Sequence, residues 1–141
     1  MFLMSIQFMA SVDSLFVVSG NNFDPSLFSK RIGVSPTKVW RRTSEALKNR
    51  QDIPELEWQF QLDKRPHDSL DEAIREILSP FLAFRETIVN FIHEHNCAAS
   101  VICRIHGDST SIELCIEPAT IDLLARLQCA LYFSVDCDSA A

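Results

Sequence analysis

Glycine is scarce in this chain, which has only three among its 141 residues. Phosphate-binding loops need several glycines close together, and so does the sharp turn that presents a catalytic serine at the end of a strand. Here Gly20, Gly33 and Gly107 stand far apart, and no HExxH zinc motif accompanies them. The sequence therefore contains none of these enzyme motifs and disfavours catalysis.

Basic charge is also in short supply, with 13 lysines and arginines against 19 aspartates and glutamates and a net charge of −6. A general nucleic-acid-binding protein needs a basic surface to displace counterions. Met1–Val12 has no lysine or arginine and is interrupted by polar residues, so it matches neither a secretory signal nor a membrane span. We therefore expect a cytoplasmic protein that binds neither nucleic acid nor membrane.

The five cysteines form neither a paired framework nor a metal motif. Their number is odd, and no two of them have the CxxC spacing. Thiols stay reduced in the cytoplasm, and zinc sites need closely spaced pairs of cysteine or histidine. We predict no disulfide, no metal and no cofactor.

The rest of the composition is that of an ordinary soluble domain, with 47% hydrophobic and 23% charged residues. The length fits a single domain with one core. We predict one domain over residues 1–141, with a core from about 8 to 137 and tails at 1–7 and 138–141.

Hydrophobic periodicity predicts both strands and helices. Strict alternation, as in Leu56–Leu62, indicates a strand buried on one face, whereas recurrence every three or four residues indicates a helix. The predicted strands are Phe8–Ser19, Leu56–Leu62, Ala99–His106, Ser111–Glu117 and Leu131–Val135, with a hairpin loop at Gly107–Thr110. The predicted helices are Pro25–Ile32, a long segment from Ser69 to about Asn96, and Ala119–Gln128.

Capping residues mark the boundaries of the predicted helices. Asp24 is a good N-cap with Pro25 at the first helical position, and Gly33 suits the left-handed conformation that ends helices. Ser69 begins a capping box. Pro80 lies inside the long segment and either kinks or splits it.

The predicted elements run strand, helix, strand, helix, strand, strand, helix, strand. From the second strand onward this is the ferredoxin-like order. We predict an α+β fold in which a mostly antiparallel sheet of about five strands carries helices on one face, as a two-layer sandwich.

Several segments resemble one known family. Gly20–Pro25 resembles its G-D-x-L-D-P entry to the first helix, and Gly33–Arg41 resembles its G-x-x-P-T-x-x-W-[RK] turn. Trp58, Pro80 and Pro118–Gln128 match further positions in the same order. The chain thus resembles the family called domain of unknown function 4279. The resemblance implies a small bacterial cytosolic protein to which no reaction is assigned.

One cluster has the chemistry of a binding site, namely Trp40, Arg41 and Arg42, with Trp58 as a further member. Guanidinium groups make forked hydrogen bonds to phosphate or carboxylate, and indoles provide faces for stacking. These residues predict a pocket for an anionic or nucleotide-like ligand. The alternative is that both tryptophans pack in the core while the arginines pair with acidic residues.

Three further groups of polar residues have simpler explanations. Residues two apart on a helix do not face each other, which argues against a metal site within His93–Cys97. His106–Ser109 fits a hairpin turn, and Asp71–Glu72 fits the first turn of a helix. We predict no catalytic and no metal-binding residues.

The leading functional hypothesis is a non-catalytic domain that binds a protein partner or a small ligand. Two alternatives stay open. One is an immunity protein that neutralises a toxin through its acidic charge. The other is a small enzyme or a nucleotide- or anion-binding domain built on Trp40, Arg41 and Arg42. Open strand edges also favour a homodimer.

Overall fold

The computed structural model describes residues 11–42, 52–62, 69–107 and 114–137. Its strands are β1 (Ser11–Gly20), β2 (Lys38–Arg41), β3 (Leu56–Phe60), β4 (Ala98–Gly107) and β5 (Cys129–Cys137). Its helices are α1 (Pro25–Ile32), α2 (Leu70–Leu78), a 3₁₀ helix (Ser79–Phe84), α3 (Arg85–His95) and α4 (Pro118–Arg126).

The five strands form one mixed sheet in the order β2-β3-β1-β4-β5. β1 pairs antiparallel with β3 on one side and with β4 on the other, and β2 pairs antiparallel with β3. β5 runs parallel to β4, and α4 lies between them in the chain. The predicted α+β class with a mostly antiparallel five-stranded sheet is confirmed.

The main core lies between one face of the sheet and the helices. Successive residues of a strand point to opposite faces of the sheet. The central strands therefore direct every second side chain, mostly apolar, into this core. The largest fully buried side chains are Phe16, Phe28, Ile32, Trp58, Ile74, Ile77, Leu78, Phe81, Ile88, Phe91, Ile105 and Leu127. Leu15 and Val17 point to the second face of the sheet, and they are buried too.

The helix ends follow the capping residues of the sequence. The Asp24 carboxylate accepts a hydrogen bond from the backbone amide of Ser26 at 2.9 Å, and Gly33 ends α1 with a φ of 69°. The Ser69 hydroxyl accepts from the amide of Glu72 at the start of α2. Pro80 splits the long predicted helix, since a 3₁₀ helix that begins at Ser79 separates α2 from α3.

The prediction missed strand β2, because Lys38–Arg41 was assigned to a turn and a side-chain cluster. The segment is only four residues long, and its pairing is non-local. The Thr37 amide donates to the Gln59 carbonyl at 2.7 Å, and the Arg42 amide donates to the Glu55 carbonyl at 2.9 Å. Because β2 is stabilised by pairing with β3, its own four residues show little of the pattern that predicts a strand.

The predicted strand Ser111–Glu117 is wrong for its described part, because residues 114–117 lie in no helix or strand. The reason is topological. β4 already has β1 on one side and β5 on the other, so no side remains for a hairpin partner. Within the described residues β4 is followed by α4, and the ferredoxin-like order is not seen there. The predicted hairpin loop at 108–110 and both predicted tails lie outside the described residues.

Candidate functional site

The two tryptophans of the predicted binding cluster lie on opposite faces of the sheet. Val39 of β2 pairs with Trp58 of β3, so these two side chains share the core face. Trp40, one residue further along, pairs with Glu57 on the second face and is half-buried there. One pocket therefore cannot include both indoles.

Trp58 is part of the core. Its side chain is fully buried, and its indole N–H donates to the Ser29 hydroxyl on α1 at 2.9 Å. The ring centroid lies 4.9 Å from that of Phe28, 6.0 Å from that of Phe81 and 6.3 Å from that of Phe16, each in an edge-to-face arrangement. Such aromatic pairs stabilise a core beyond their buried area. Trp58 thus has the structural role that was the alternative interpretation of this residue.

The two arginines of the cluster also differ from each other. Arg42 is largely buried, with its side chain 13% exposed, and it donates to the Ile53 carbonyl at 2.8 Å and lies 3.5 Å from the Glu55 carboxylate. It therefore joins the end of β2 to the segment that begins β3. Arg41 is exposed and points to the face opposite Trp40. The structure does not bring the four predicted residues together.

A groove lies beside α1, in the stretch that contains the family-like turn. Its volume is about 500 Å³, and it is open to solvent. Its lining comes from Pro25, Ser26, Ser29 and Lys30 of α1, from Gly33–Pro36 and from Val39. The lining offers an apolar wall, serine hydroxyls and one ammonium group, which suits a small apolar molecule with an anionic end. Sequence reasoning missed this groove because it forms only when β2 folds back beside α1.

Hydrogen bonds within the fold hold the buried carboxylate of Asp71. It accepts from the Glu117 backbone amide at 2.8 Å and from the Arg75 guanidinium at 2.8 Å. Burial alone raises the pKa of Asp71, but the hydrogen bonds from the Glu117 amide and from Arg75, together with the charge of Arg75, hold the pKa below its ordinary value. This carboxylate stays ionised and ties the first turn of α2 to the start of α4.

His93, His95 and Cys97, which have the side-chain types of metal ligands, each have a separate environment in the fold. His93 lies 3.0 Å from the Gln128 amide oxygen, and the His95 ring packs against that of Phe91 at a centroid distance of 4.2 Å. Burial raises the pKa of the Cys97 thiol to about 11, which suppresses the thiolate that binds metal. Within the described ranges, no group of three acidic, histidine or cysteine side chains is arranged to hold a metal ion.

An exposed charged group lies at one end of the second face. His106 of β4 has Asp13 of β1 at 3.9 Å on one side and Asp136 of β5 at 3.8 Å on the other. The two contacts are ion pairs only when His106 is protonated, and because all three side chains are solvent-accessible, such pairs contribute little to stability.

The two outer strands of the sheet differ sharply. β2 has four residues, and Lys38 and Arg41 at its ends are both exposed. β5 has nine residues and one charged side chain, Asp136. Tyr132, Phe133 and Val135 of β5 are 58%, 48% and 53% exposed. Short charged edges resist strand addition, whereas long apolar edges invite it. We call residues 129–137, on the side away from β4, the β5 edge.

The family model described as a domain of unknown function, DUF4279, matches residues 10–138, which is nearly the whole chain. The chain belongs to the DUF4279 family. No curated protein and no solved structure matches it significantly. No helix in the described segments is long and apolar enough to cross a membrane.

The positions that resemble DUF4279 motifs have structural roles in this member of the family. They cap helices, begin helices or fill the core. Asp24 caps α1, Gly33 ends α1, Trp58 fills the core, Pro80 lies in the first turn of the 3₁₀ helix and Pro118 begins α4. These five positions of the DUF4279 resemblance therefore serve the fold and do not by themselves mark a functional surface.

Proposed function

We propose that this DUF4279 domain is a non-catalytic binding domain that takes up a protein partner at the β5 edge. The observation that carries the proposal is the contrast between the two outer strands. Among the strands that the structure describes, β5 has a neighbour on its β4 side alone. As far as the described residues go, its outward backbone groups face no other strand, and main-chain hydrogen bonds to an added strand supply affinity in this mode of recognition.

The side chains of the β5 edge support the same proposal. Phe133 and Val135 point to the helix side of the sheet, and Tyr132 points to the second face. An added strand meets apolar side chains on both faces, so it buries them while its backbone is hydrogen-bonded. Aromatic residues such as these are enriched among the residues that dominate binding energy.

The non-catalytic part of the proposal is supported by how the reactive side chains are used. Asp71 is ionised and hydrogen-bonded within the fold. Burial raises the pKa of Cys103 and of Cys129 to about 12, so both thiols are inert near neutral pH. The acidic group with a shifted pKa therefore joins parts of the fold through hydrogen bonds, and the thiols with shifted pKa values are packed inside it.

Two narrower forms of the function come from the sequence. An immunity protein is one form of partner binding, because an acidic domain covers a basic active site on its toxin. Finding a toxin gene beside the gene for this chain would support that form. A small-ligand domain is the other form. For such a ligand the groove beside α1, with Lys30, is a better candidate site than the cluster of Trp40, Arg41, Arg42 and Trp58, which the structure does not bring together.

Fluorescence anisotropy with a strand-forming peptide tests the proposal. The probe is a labelled nine-residue peptide in which valine alternates with threonine, flanked by lysines for solubility. We expect saturable binding to the wild-type domain. Phe133→Lys weakens it at least about tenfold, because a charge at the edge opposes strand addition.

The matched control is Phe84→Lys, which makes the same substitution at a phenylalanine of the 3₁₀ helix that is 36% exposed. It leaves peptide affinity unchanged. Circular dichroism verifies that both variants fold. Absence of peptide binding to the folded wild-type domain at concentrations where it is monomeric, or equal affinities for the two variants, contradicts the proposal.

A further inference from the structure

We infer that the partner at the β5 edge is a second copy of this chain, paired antiparallel to the first about a two-fold axis through Phe133. The inference rests on the proposed function, since it names the partner of the same edge. Two five-stranded sheets then join into one continuous sheet across the axis. A two-fold contact requires that one surface complement itself, and the sequence of β5 meets this requirement.

The register follows from the length of the strand. Phe133 is the central residue of the nine in Cys129–Cys137. In an antiparallel ladder, two residues that lie directly opposite each other either both point their N–H and C=O groups toward the partner strand or both point them away. A two-fold axis between identical strands therefore lies midway between a residue and its own copy. Only the axis at Phe133 overlaps all nine residues of both strands, and it leaves no outward backbone group of β5 unpaired.

The side chains on the helix side match in this register. Phe133 faces the partner's Phe133, and Leu131 faces the partner's Val135. Cross-strand pairs of aromatic or β-branched residues stabilise sheets. Because Phe133 and Val135 are each about half exposed in the single chain, pairing removes this apolar surface from water. Ile121 of α4, a helix that contacts β5, is 54% exposed and adds apolar surface on the same side.

The charges permit the same register. Asp136 is the one charged residue of β5, and it faces the partner's Ala130. Tyr132 faces the partner's Ser134 on the second face of the sheet. No two like charges stand opposite each other, although each chain carries a net charge of −6. The β2 edge lacks this property, since Lys38 and Arg41 lie within four residues and self-pairing brings four cations together.

The required interface area is modest for this chain. A standard interface buries about 800 Å² on each partner, which is about a tenth of the 8862 Å² accessible surface of the chain. The nine-residue strand, its three half-exposed apolar side chains and the neighbouring surface of α4 are the parts of the chain that would contribute this area.

Light scattering coupled to size exclusion tests the inference on the full chain under reducing conditions, over about a hundredfold range of concentration. We expect a dimer that dissociates on dilution. Phe133→Lys raises the dissociation constant at least about thirtyfold, as expected for loss of a central residue of an interface. The control Phe84→Lys leaves it unchanged.

Disulfide trapping tests the register, in a background where Cys115, Cys129 and Cys137 are replaced by serine, because the same register places Cys129 opposite the partner's Cys137. Phe133→Cys places two thiols directly opposite each other at about 5 Å between Cα atoms, within disulfide range. Ser134→Cys places them diagonally at about 7–8 Å, beyond that range. We expect a covalent dimer of the first variant and a monomer of the second on a denaturing gel after mild oxidation.

The results distinguish the inferred second copy from the proposed binding of a strand at the β5 edge. A wild-type chain that stays monomeric but binds the strand peptide overturns the second copy and leaves the proposed function standing. A dimer that survives Phe133→Lys overturns the inference, because another surface then forms it. Efficient trapping of Ser134→Cys without Phe133→Cys overturns the register. A monomer that also fails to bind the peptide overturns both claims.

Discussion

The indole N–H of Trp58 donates a hydrogen bond to the hydroxyl of Ser29 at 2.9 Å. This bond joins strand β3 to helix α1 and gives the fully buried tryptophan a partner for its one polar atom. The same serine lines the groove beside α1. The contact thus connects the centre of the core with the groove that the family-like turn helps to line.

Replacing Ser29 by alanine tests this contact. The change leaves a buried donor without its acceptor, and an unsatisfied buried group costs about 1–3 kcal/mol. We expect Ser29→Ala to lower the free energy of unfolding by that amount in urea denaturation. The control is Ser35→Ala, at an exposed serine of the same groove, which changes stability little. Equal effects of the two variants contradict the role given to this bond.

The Asp71 carboxylate gives a prediction about pH. Its folded pKa lies below its ordinary value of 3.8. A carboxyl group with a lowered folded pKa stabilises the protein above its unfolded pKa, and this contribution is lost as the pH falls through the folded pKa. We expect Asp71→Asn to lower the free energy of unfolding by about 1 kcal/mol at neutral pH, because charged acceptors bind more strongly.

Denaturation curves at several pH values measure this effect. The difference between wild type and Asp71→Asn stays constant above about pH 5 and shrinks below about pH 4. Glu72→Gln, at the exposed neighbouring position, is the control and shows a smaller difference at neutral pH. A difference that grows as the pH falls contradicts the direction of the pKa shift.

Gly33 provides a prediction about backbone conformation. Its φ of 69° lies in the left-handed region, and a Cβ there meets nothing within 4 Å. Conformation alone therefore opposes a side chain at this position. Gly33→Ala lowers the free energy of unfolding by about 1 kcal/mol, whereas Gly33→Asn costs less, because asparagine tolerates this conformation. Thermal unfolding ranks the two variants. If alanine is tolerated as well as asparagine, the cap has a different basis.

Local signals in the sequence were sufficient for much of the fold. The capping residues Asp24, Gly33 and Ser69 set helix boundaries through contacts within a few residues, and alternation marked β1, β3 and β4. β2 escaped because its four residues are defined by pairing with β3. Alternation at Leu114 and Ile116 was misleading, because both sides of β4 are already paired with other strands, β1 and β5.

The candidate site was harder to predict than the fold. Once Lys38–Arg41 is a strand, neighbouring residues must point to opposite faces, and Trp40 is separated from Arg41 and Trp58. The importance of β5 depends on the order of strands in the sheet, and that order is not encoded in any short segment. Tyr132, Phe133 and Val135 look like core residues until the sheet order places them at an edge.

Hydrogen exchange of the β5 amides, measured on the monomeric domain with and without a saturating amount of the strand peptide, tests the central claim most directly. Strand addition at the β5 edge predicts slower exchange across residues 129–137 and unchanged exchange in β2 at residues 38–41. Protection that appears around residues 25–39 instead, or no change at β5 while the peptide is bound, contradicts the claim that this edge is the binding site.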